Sequence, residues 1–168
     1  MKVLLLGIGM QGKAALHDLC ASPAVTRVVA ADRDLAALRA HLDRCGYGDR
    51  VSAVACDADD PAQIDRLFST HPDVAIDLMP SQYQRLVAES AVRHGVHLVN
   101  TFYTSPEVRA LDAAARSAGV AILPEFGLDP GIDLVLLGRA LACLEDVREI
   151  RSYGAGLPEP AAADNPLR

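Results

Sequence analysis

Apolar runs of four to six residues alternate along the chain with longer segments in which apolar residues recur every three or four positions. The short runs are typical of buried strands, and the longer segments are typical of amphipathic helices. Strands are predicted over residues 3–6, 26–31, 51–56, 74–78, 97–100 and 120–123. Helices are predicted over residues 11–21, 35–44, 61–69, 82–94, 106–118 and 134–144. Strands covered by helices on both faces read as continuous apolar runs, so this alternation predicts an α/β fold with a doubly wound parallel sheet in the order 3-2-1-4-5-6.

The first predicted strand runs directly into a glycine-rich turn at residues 7–12. A strand, a G-x-G-x-x-G turn and a helix in succession are typical of dinucleotide-binding domains. Gly7 permits the sharp turn, Gly9 lets a pyrophosphate approach bare backbone, and Gly12 lets the helix pack closely on the sheet. Free N–H groups at the start of the helix hold the anion in such sites. The turn therefore predicts cofactor contacts from Gly7, Gly9, Met10, Gln11 and Gly12.

The residues at the end of the second predicted strand support the dinucleotide site and help to distinguish NAD from NADP. Glycine-rich turns also occur in domains that bind no nucleotide, so the residues after the turn matter. Asp32 lies twenty residues after Gly12, where an acidic side chain can take both hydroxyls of the adenine ribose. Asp32 repels a 2′-phosphate and so favours NAD, whereas Arg33 beside it can pair with one. The predicted cofactor is NAD or NADP, with NAD preferred from Asp32.

Further candidates follow the third and fourth strands, because ligands of doubly wound sheets bind at the carboxyl ends of the strands. Asp57 can reach the adenine amino group or the ribose, while Asp59 or Asp60 alone would suffice to cap the next helix. The residues after the fourth strand border the central phosphates and the nicotinamide ribose in this topology. They are Met79, Pro80 and Ser81, and Ser81 can also serve as an N-cap.

Polar and aromatic side chains follow the fifth strand, and acidic side chains follow the sixth. Tyr103 can donate a hydrogen bond to a substrate carboxylate or take part in proton transfer, or else pack over the helix that follows it. Asp129 precedes Pro130 in the pairing typical of a helix start, which alone would explain both residues. Yet Glu125 and Asp133 lie close to Asp129 in the sequence, and a helix cap does not require three acidic side chains. Tyr103 and Asp129 are therefore the candidate catalytic residues.

Composition limits the classes of partner. The 168-residue chain carries a net charge of -6 and shows no basic stripe, which argues against nucleic-acid binding and binding to an anionic membrane. No apolar stretch reaches the ~20 residues of a membrane span. The four cysteines lack C-x-x-C spacing, which favours a reduced, cytoplasmic location. His94 and His97 read as part of an ordinary turn, so no metal site is predicted.

With these residues in view, the chain resembles the saccharopine dehydrogenase family, and within it the glutamate-forming type, also called saccharopine reductase. The matching segments are the glycine turn GIGMQG and the stretches at 101–120, 125–133 and 152–168. The last two segments, EFGLDPGID and SYGAGLPEPAAADNPLR, are far more specific than the glycine motif. Lysine 6-dehydrogenase and carboxynorspermidine dehydrogenase are more distant in this pattern.

The resemblance implies a reversible oxidative cleavage of saccharopine, a secondary amine, to glutamate and aminoadipate semialdehyde. It also implies that Asp129 and Tyr103 lie near an amino-acid-derived substrate, since these positions match the family's G-L-D-P-G motif and its tyrosine after the fifth strand. One position departs from the family pattern: Gly154 stands where saccharopine reductases have a cysteine.

The resemblance covers about the first half of the family's length. Its members continue into an α+β domain that supplies most substrate contacts and forms a homodimer. We therefore assign residues 1–146 to a dinucleotide-binding domain and residues 147–168 to the first strand and linker of that further domain, with the strand predicted over 147–153. Two alternatives remain at this point: a dinucleotide-binding module without catalysis, and deamination of a primary amine in the manner of lysine 6-dehydrogenase.

Overall fold

The structure, a computed structural model, describes residues 1–153 and is built on one parallel sheet. The strands are β1 (Lys2–Leu6), β2 (Arg27–Asp32), β3 (Val51–Ala55), β4 (Val74–Asp77), β5 (His97–Asn100) and β6 (Ile122–Leu123). They pair in the order β3-β2-β1-β4-β5-β6, and every pair is parallel. The predicted α/β class and strand order are confirmed. Strands β1 to β3 are added toward one edge of the sheet and β4 to β6 toward the other, and this switch of strand order between β1 and β4 opens a crevice at their carboxyl ends.

Helices cover both faces of this sheet. They are α1 (Met10–Ala21), α2 (Leu35–Cys45), α3 (Pro61–Phe68), α4 (Gln84–His94), α5 (Pro106–Arg109), α6 (Asp112–Ser117) and α7 (Ile132–Leu141). Asp34 caps α2 by accepting a hydrogen bond from the Ala37 N–H, and Asp60 caps α3 in the same way from the Ala62 N–H. Gly95 ends α4 in the left-handed conformation, at φ +69°, which glycine adopts without strain.

The core consists of two apolar layers, one on each face of the sheet. Successive residues of β1 point to opposite faces, so Leu4 and Leu6 join the layer under α3 and α4, whereas Val3 and Leu5 join the layer under α1 and α2. All four side chains are at most 1% exposed. This two-sided burial explains why the strand reads as an unbroken apolar run.

The structure departs from the predicted elements at two places. The helix predicted over 106–118 is interrupted, because the chain turns tightly at Ala110 and Leu111 with an N–H to C=O bond from Leu111 to Val108. The strand predicted over 147–153 is not formed, and these residues have no regular secondary structure. A strand needs a neighbouring strand for its backbone hydrogen bonds, and residues 147–153 pair with none of the six strands of the sheet. The rest of the assigned segment, including Gly154, lies outside the described residues.

The last helix differs from the others in its packing. None of the residues of α7 is buried against the described part of the chain. Ile132, Val135 and Leu136 are each more than half exposed. The helix thus presents a large apolar surface that residues 1–153 do not cover.

Two further findings concern membranes and metals. Within the described range, no helix combines the length and the apolarity needed to cross a bilayer. Nor do the His, Cys, Asp and Glu side chains of this range form a group of three placed to hold a metal ion. His94 contacts the carboxylate of Asp65 at 2.9 Å, and the His97 ring accepts from the Ala121 N–H at 3.0 Å, so the two histidines have separate partners.

Candidate functional site

The three glycines of the turn after β1 have three different environments. Gly7 adopts φ +85°, and a Cβ there would lie 2.8 Å from the carbonyl oxygen of Leu78. A Cβ on Gly12 would lie 2.0 Å from the carbonyl oxygen of Gly7. A Cβ on Gly9, by contrast, would meet no atom within 4 Å. Packing therefore requires glycine at the first and third positions, while the second presents bare backbone to open space.

The start of α1 is prepared for an anion. Gly9 is its N-cap residue, and no side chain caps the helix. By comparison α2, α3 and α5 are capped by the side chains of Asp34, Asp60 and Ser105. The N–H groups in the first turn of an uncapped helix lack intrahelical partners and, with the helix dipole, attract negative charge. The geometry fits a pyrophosphate at this position.

Asp32 ties this turn to the end of β2. Its Oδ2 accepts from the Ile8 N–H at 2.7 Å, and its Oδ1 accepts from the Asp34 N–H at 3.0 Å. Each carboxylate oxygen has a second lone pair, so the group can still accept from a ribose hydroxyl. Arg33, which follows, is exposed. The side chains that favour NAD and NADP are therefore both present at the adenine end of the crevice.

A cavity of about 340 Å³ lies over the glycine turn, a size within the range of small-molecule and cofactor sites. Of the predicted cofactor contacts, seven line it: Gly7, Gly9, Asp32, Arg33, Asp57, Met79 and Pro80. Met10, Gln11, Gly12 and Ser81 lie outside its lining. Met10 points to solvent at 89% exposure, whereas Gly12 is buried against Gly7. Contact of these residues with a dinucleotide stays a prediction.

The cavity is also lined by residues that were not predicted from the sequence. The Tyr83 hydroxyl donates to Asp59 at 2.6 Å and so closes one wall between α3 and α4. Cys56 and Ala58 form the floor beside Asp57. Cys56 and Ala58 flank Asp57, which was predicted as a site residue because it follows a strand. The small side chains of Cys56 and Ala58 beside Asp57 were the signal in the sequence by which they could have been found. Tyr83 gave no such signal, because its place depends on the short turn at Ser81–Tyr83.

That turn also corrects one sequence assignment. Ser81 does not cap a helix through its side chain, because Ser81–Tyr83 forms a short 3₁₀ turn whose N-cap residue is Pro80. The following helix α4 has Tyr83 as its N-cap residue and no side-chain cap. The hydroxyl of Ser81 is thus not used in capping.

The second group of candidate residues meets at the same edge of the sheet. The Tyr103 hydroxyl donates to Asp129 Oδ1 at 2.8 Å, joining the loop after β5 to the loop after β6. Asp129 is not the cap of α7, because Gly131 holds that position and its N–H donates to Asp133 at 2.7 Å. The helix-start interpretation of Asp129 is therefore wrong. The Tyr103 side chain is 65% exposed.

The hydrogen bond to Asp129 is the main reason why the pKa of Tyr103 is raised above its ordinary value, and partial burial and the acidic neighbours act in the same direction. A raised pKa keeps the hydroxyl protonated at neutral pH. Tyr103 is accordingly a hydrogen-bond donor to Asp129.

The third acidic residue of the loop has a structural partner. Glu125 accepts from both the N–H and the hydroxyl of Thr104, at 2.9 and 2.8 Å, and these bonds lower the pKa of the carboxyl. Gln84 at the start of α4 donates to the Tyr103 carbonyl at 3.1 Å. The peptide group between Tyr103 and Thr104 is thus held from two directions. Asp129, by contrast, is exposed.

A larger groove, of about 640 Å³, lies elsewhere, along α5, α6 and the free edge of β6. Its walls include Arg109, Asp112 and Arg116, and none of the glycine-turn residues contributes to it. Arg116 is paired with Asp112 at 2.8 Å. Because the glycine turn lines the smaller cavity and not this groove, we place the candidate cofactor site in the smaller cavity.

Comparison with known proteins identifies the family. Residues 3–123 match the family described as "Saccharopine dehydrogenase NADP binding domain". The chain belongs to the saccharopine dehydrogenase family. Its first strand, its glycine turn and all six strands of the sheet fall in or next to the matched range, which makes this part of the chain the NAD(P)-binding domain.

Individual relatives agree with this. The chain is 38% identical over 121 residues to "Saccharopine dehydrogenase [NADP(+), L-glutamate-forming]" from Pyricularia oryzae, which covers 68% of this chain and 26% of the relative. It is 32% identical over 172 aligned positions to the protein of the same name from Schizosaccharomyces pombe, covering 98% of this chain and 36% of the relative. The apo structure of the L-Glu-forming saccharopine dehydrogenase from Saccharomyces cerevisiae superposes with a TM-score of 0.75 at 31% identity, covering 84% of this chain and 30% of that one. The chain thus spans about a third or less of the length of these relatives.

Proposed function

We propose that this chain forms the cofactor-binding part of an oxidoreductase that acts on the CH–NH group of saccharopine and yields glutamate and aminoadipate semialdehyde. The observation that carries the proposal is the placement of two features at one edge of the sheet. One is the cavity over the bare backbone of Gly9, and the other is the Tyr103–Asp129 pair. The names of the relatives support the same substrate.

In this proposal the uncapped N-terminus of α1 binds the pyrophosphate and the Asp32 side chain binds the adenine ribose. A bound nicotinamide supplies the acceptor for the hydride that leaves the carbon next to the substrate nitrogen. The chain's own residues then have to hold the amine neutral and oriented while the hydride leaves.

Asp129 is suited to that task. A carboxylate near the substrate nitrogen first attracts the ammonium form and then accepts its proton, which frees the nitrogen lone pair to form the C=N bond as the hydride departs. Tyr103 keeps one carboxylate oxygen in place through its hydrogen bond and leaves the other for the substrate. Water then adds to the C=N carbon, and breaking of the C–N bond releases the amine of glutamate and the aldehyde.

The choice of dinucleotide is part of the proposal. Asp32 favours NAD, whereas Arg33 lines the same cavity and can pair with the 2′-phosphate of NADP. The Asp32 carboxylate already accepts hydrogen bonds from two backbone N–H groups, so the side chain is less free to rotate toward either ribose hydroxyl. NAD remains our preferred cofactor, and the relatives named for NADP are the reason to test both.

The test is a calorimetric titration of the chain with NADH and with NADPH. A separate assay adds saccharopine together with NAD⁺ or NADP⁺ and measures formation of the reduced cofactor. We expect saturable binding of at least one dinucleotide. Absence of binding by both would overturn the proposal. Binding without formation of reduced cofactor would limit this chain to cofactor binding.

A further inference from the structure

The loops that line the crevice begin in the same way. After β4, Asp77 Oδ1 accepts from the Met79 N–H at 3.0 Å, and after β5, Asn100 Oδ1 accepts from the Phe102 N–H at 3.1 Å. In each case a side chain at a strand end accepts from the backbone two residues later, which sets the direction in which the loop leaves the sheet. Asp32 does the same after β2 and uses its second oxygen to hold the neighbouring loop at Ile8.

Asp77 and Asn100 are partners in the register of β4 and β5. Paired residues of adjacent parallel strands point to the same face, so the two side chains lie next to each other. Both are completely buried. Within residues 1–153, Asp77 Oδ2 and Asn100 Nδ2 have no hydrogen-bond partner.

These two atoms are chemically complementary, because a carboxylate oxygen accepts and an amide nitrogen donates. A buried polar atom without a partner costs free energy, and an unpaired buried carboxylate costs more. In agreement, burial raises the pKa of Asp77 to about 7. A hydrogen bond from Asn100 Nδ2 to Asp77 Oδ2, either direct or through one buried water, would satisfy both atoms at once.

We propose that Asp77 and Asn100 form one buried hydrogen-bonded unit that holds the Met79 wall of the cofactor cavity in a fixed position relative to the Tyr103 loop. Both are positioning residues that act through the backbone of these loops. Met79 and Pro80 line the cavity, and Tyr103 follows Phe102 directly and carries the bond to Asp129. The unit therefore sets the distance between the nicotinamide end of the cofactor and the proton-accepting carboxylate, and in this respect it rests on the proposed function.

The first experiment is a double-mutant cycle on the 168-residue chain, read as Tm. Asp77→Asn places two amide groups opposite each other, and Asn100→Asp places two carboxyl groups there. The double variant D77N/N100D restores one acceptor and one donor with the positions exchanged. The carboxylate at position 77 is buried in the unmutated chain and in N100D, and the carboxylate at position 100 is buried in N100D and in the double variant. Each burial cost therefore cancels around the cycle.

We expect the Tm of the double variant to lie about 3–8 °C above the value obtained by adding the two single shifts. Asp57→Asn combined with N100D is the matched control, because Asp57 also accepts from the backbone two residues later but lies after β3, away from Asn100. Its shifts should add. Additivity in the D77N/N100D cycle would overturn the proposed unit.

The second readout separates positioning from folding. The dissociation constant is measured for NADPH and for 2′,5′-ADP, which lacks the nicotinamide half, or for NADH and ADP if the chain prefers NAD. We expect D77N to weaken binding of the whole dinucleotide about tenfold, to leave the adenine fragment unchanged, and to recover in the double variant. Equal weakening of both ligands would mean a purely structural role and overturn the positioning role.

The two proposals fail in different ways. If the unmutated chain binds neither dinucleotide, the proposed function and the positioning role fail together, while the Tm cycle still decides whether the buried unit exists. If the chain binds a dinucleotide and the cycle is additive, the proposed function stands and the buried unit is overturned.

Discussion

Substitution of Gly9 by alanine tests whether the glycine turn binds a dinucleotide. The added methyl group meets no protein atom within 4 Å, and Gly9 has φ -71°, which alanine adopts without strain. The free energy of unfolding should therefore change by less than about 1 kcal/mol, the scale of exchanging one N-cap residue for another. The methyl group instead occupies the surface over which a pyrophosphate must lie.

The affected quantity is thus the affinity for the cofactor. We expect the dissociation constant for NADH or NADPH to rise at least tenfold, which corresponds to about 1.4 kcal/mol. Calorimetry gives the affinity, and urea denaturation followed by circular dichroism gives the stability. Both are measured on the same preparation.

Gly12→Ala is the matched control. Its Cβ would lie 2.0 Å from the Gly7 carbonyl oxygen, so the backbone of the turn has to shift. Overpacking of this kind costs about 1–3 kcal/mol or more. The two variants should therefore separate, with G9A losing affinity at normal stability and G12A losing stability. Unchanged affinity in G9A would refute the assignment of the turn as a phosphate site.

Three further predictions concern the cofactor, the loop and the buried carboxylate. Asp32→Ser should weaken NADH binding by about 1.5–3 kcal/mol per lost charge-assisted hydrogen bond and improve NADPH binding, whereas Arg33→Ala should weaken only NADPH; an unchanged NADH affinity in D32S would count against the ribose contact. Tyr103→Phe removes the donor to Asp129 and should lower saccharopine turnover in any form of the protein that is active, with dinucleotide affinity unchanged; unaltered turnover would argue against the pair. Burial raises the pKa of Asp77 to about 7, so between pH 5 and 7 the unfolded chain has already lost this proton while most of the folded chain still holds it. The unfolding free energy should therefore fall by roughly 2–3 kcal/mol relative to D77N as the pH rises over that window, and parallel pH profiles would contradict the burial argument.

The fold could be predicted from the sequence because the central strands β1 and β2 contribute to the apolar layers on both faces of the sheet. Residues 3–6 have to be apolar throughout to fill the layers on either side of the sheet, and the glycine turn after them has a known position in such folds. The short separations between strands then leave few topologies. The break near Leu111 and the absence of a strand at 147–153 depend on contacts that local periodicity does not record.

The candidate site was predictable only in part. Asp57, Met79 and Pro80 were found because they directly follow strands, and they do line the cavity. The Asp59–Tyr83 contact joins residues 24 positions apart, and no spacing rule indicates it. Asp129 was read both as a cap and as a site residue, and only the geometry of α7 and the Tyr103 contact separated the two interpretations.

The buried pair shows the same limit. Asp77 was given no role from the sequence, because it lies inside the strand predicted over 74–78, and Asn100 was only the last residue of the strand predicted over 97–100. Nothing in the sequence indicates that β4 and β5 align the two in register. Their importance follows from two properties that only the three-dimensional structure shows, namely complete burial and unpaired polar atoms.

The measurement that tests the central claim most directly is an NMR titration of the isotope-labelled chain with NADPH and with NADH. The account predicts that the largest changes in backbone amide shifts fall on the glycine turn at Ile8 and Gly9, on Asp32 and Arg33, and on Met79. The groove formed by α5, α6 and β6 should remain unaffected. Shifts confined to that groove, or none with either dinucleotide, would contradict the assignment of this cavity as the cofactor site.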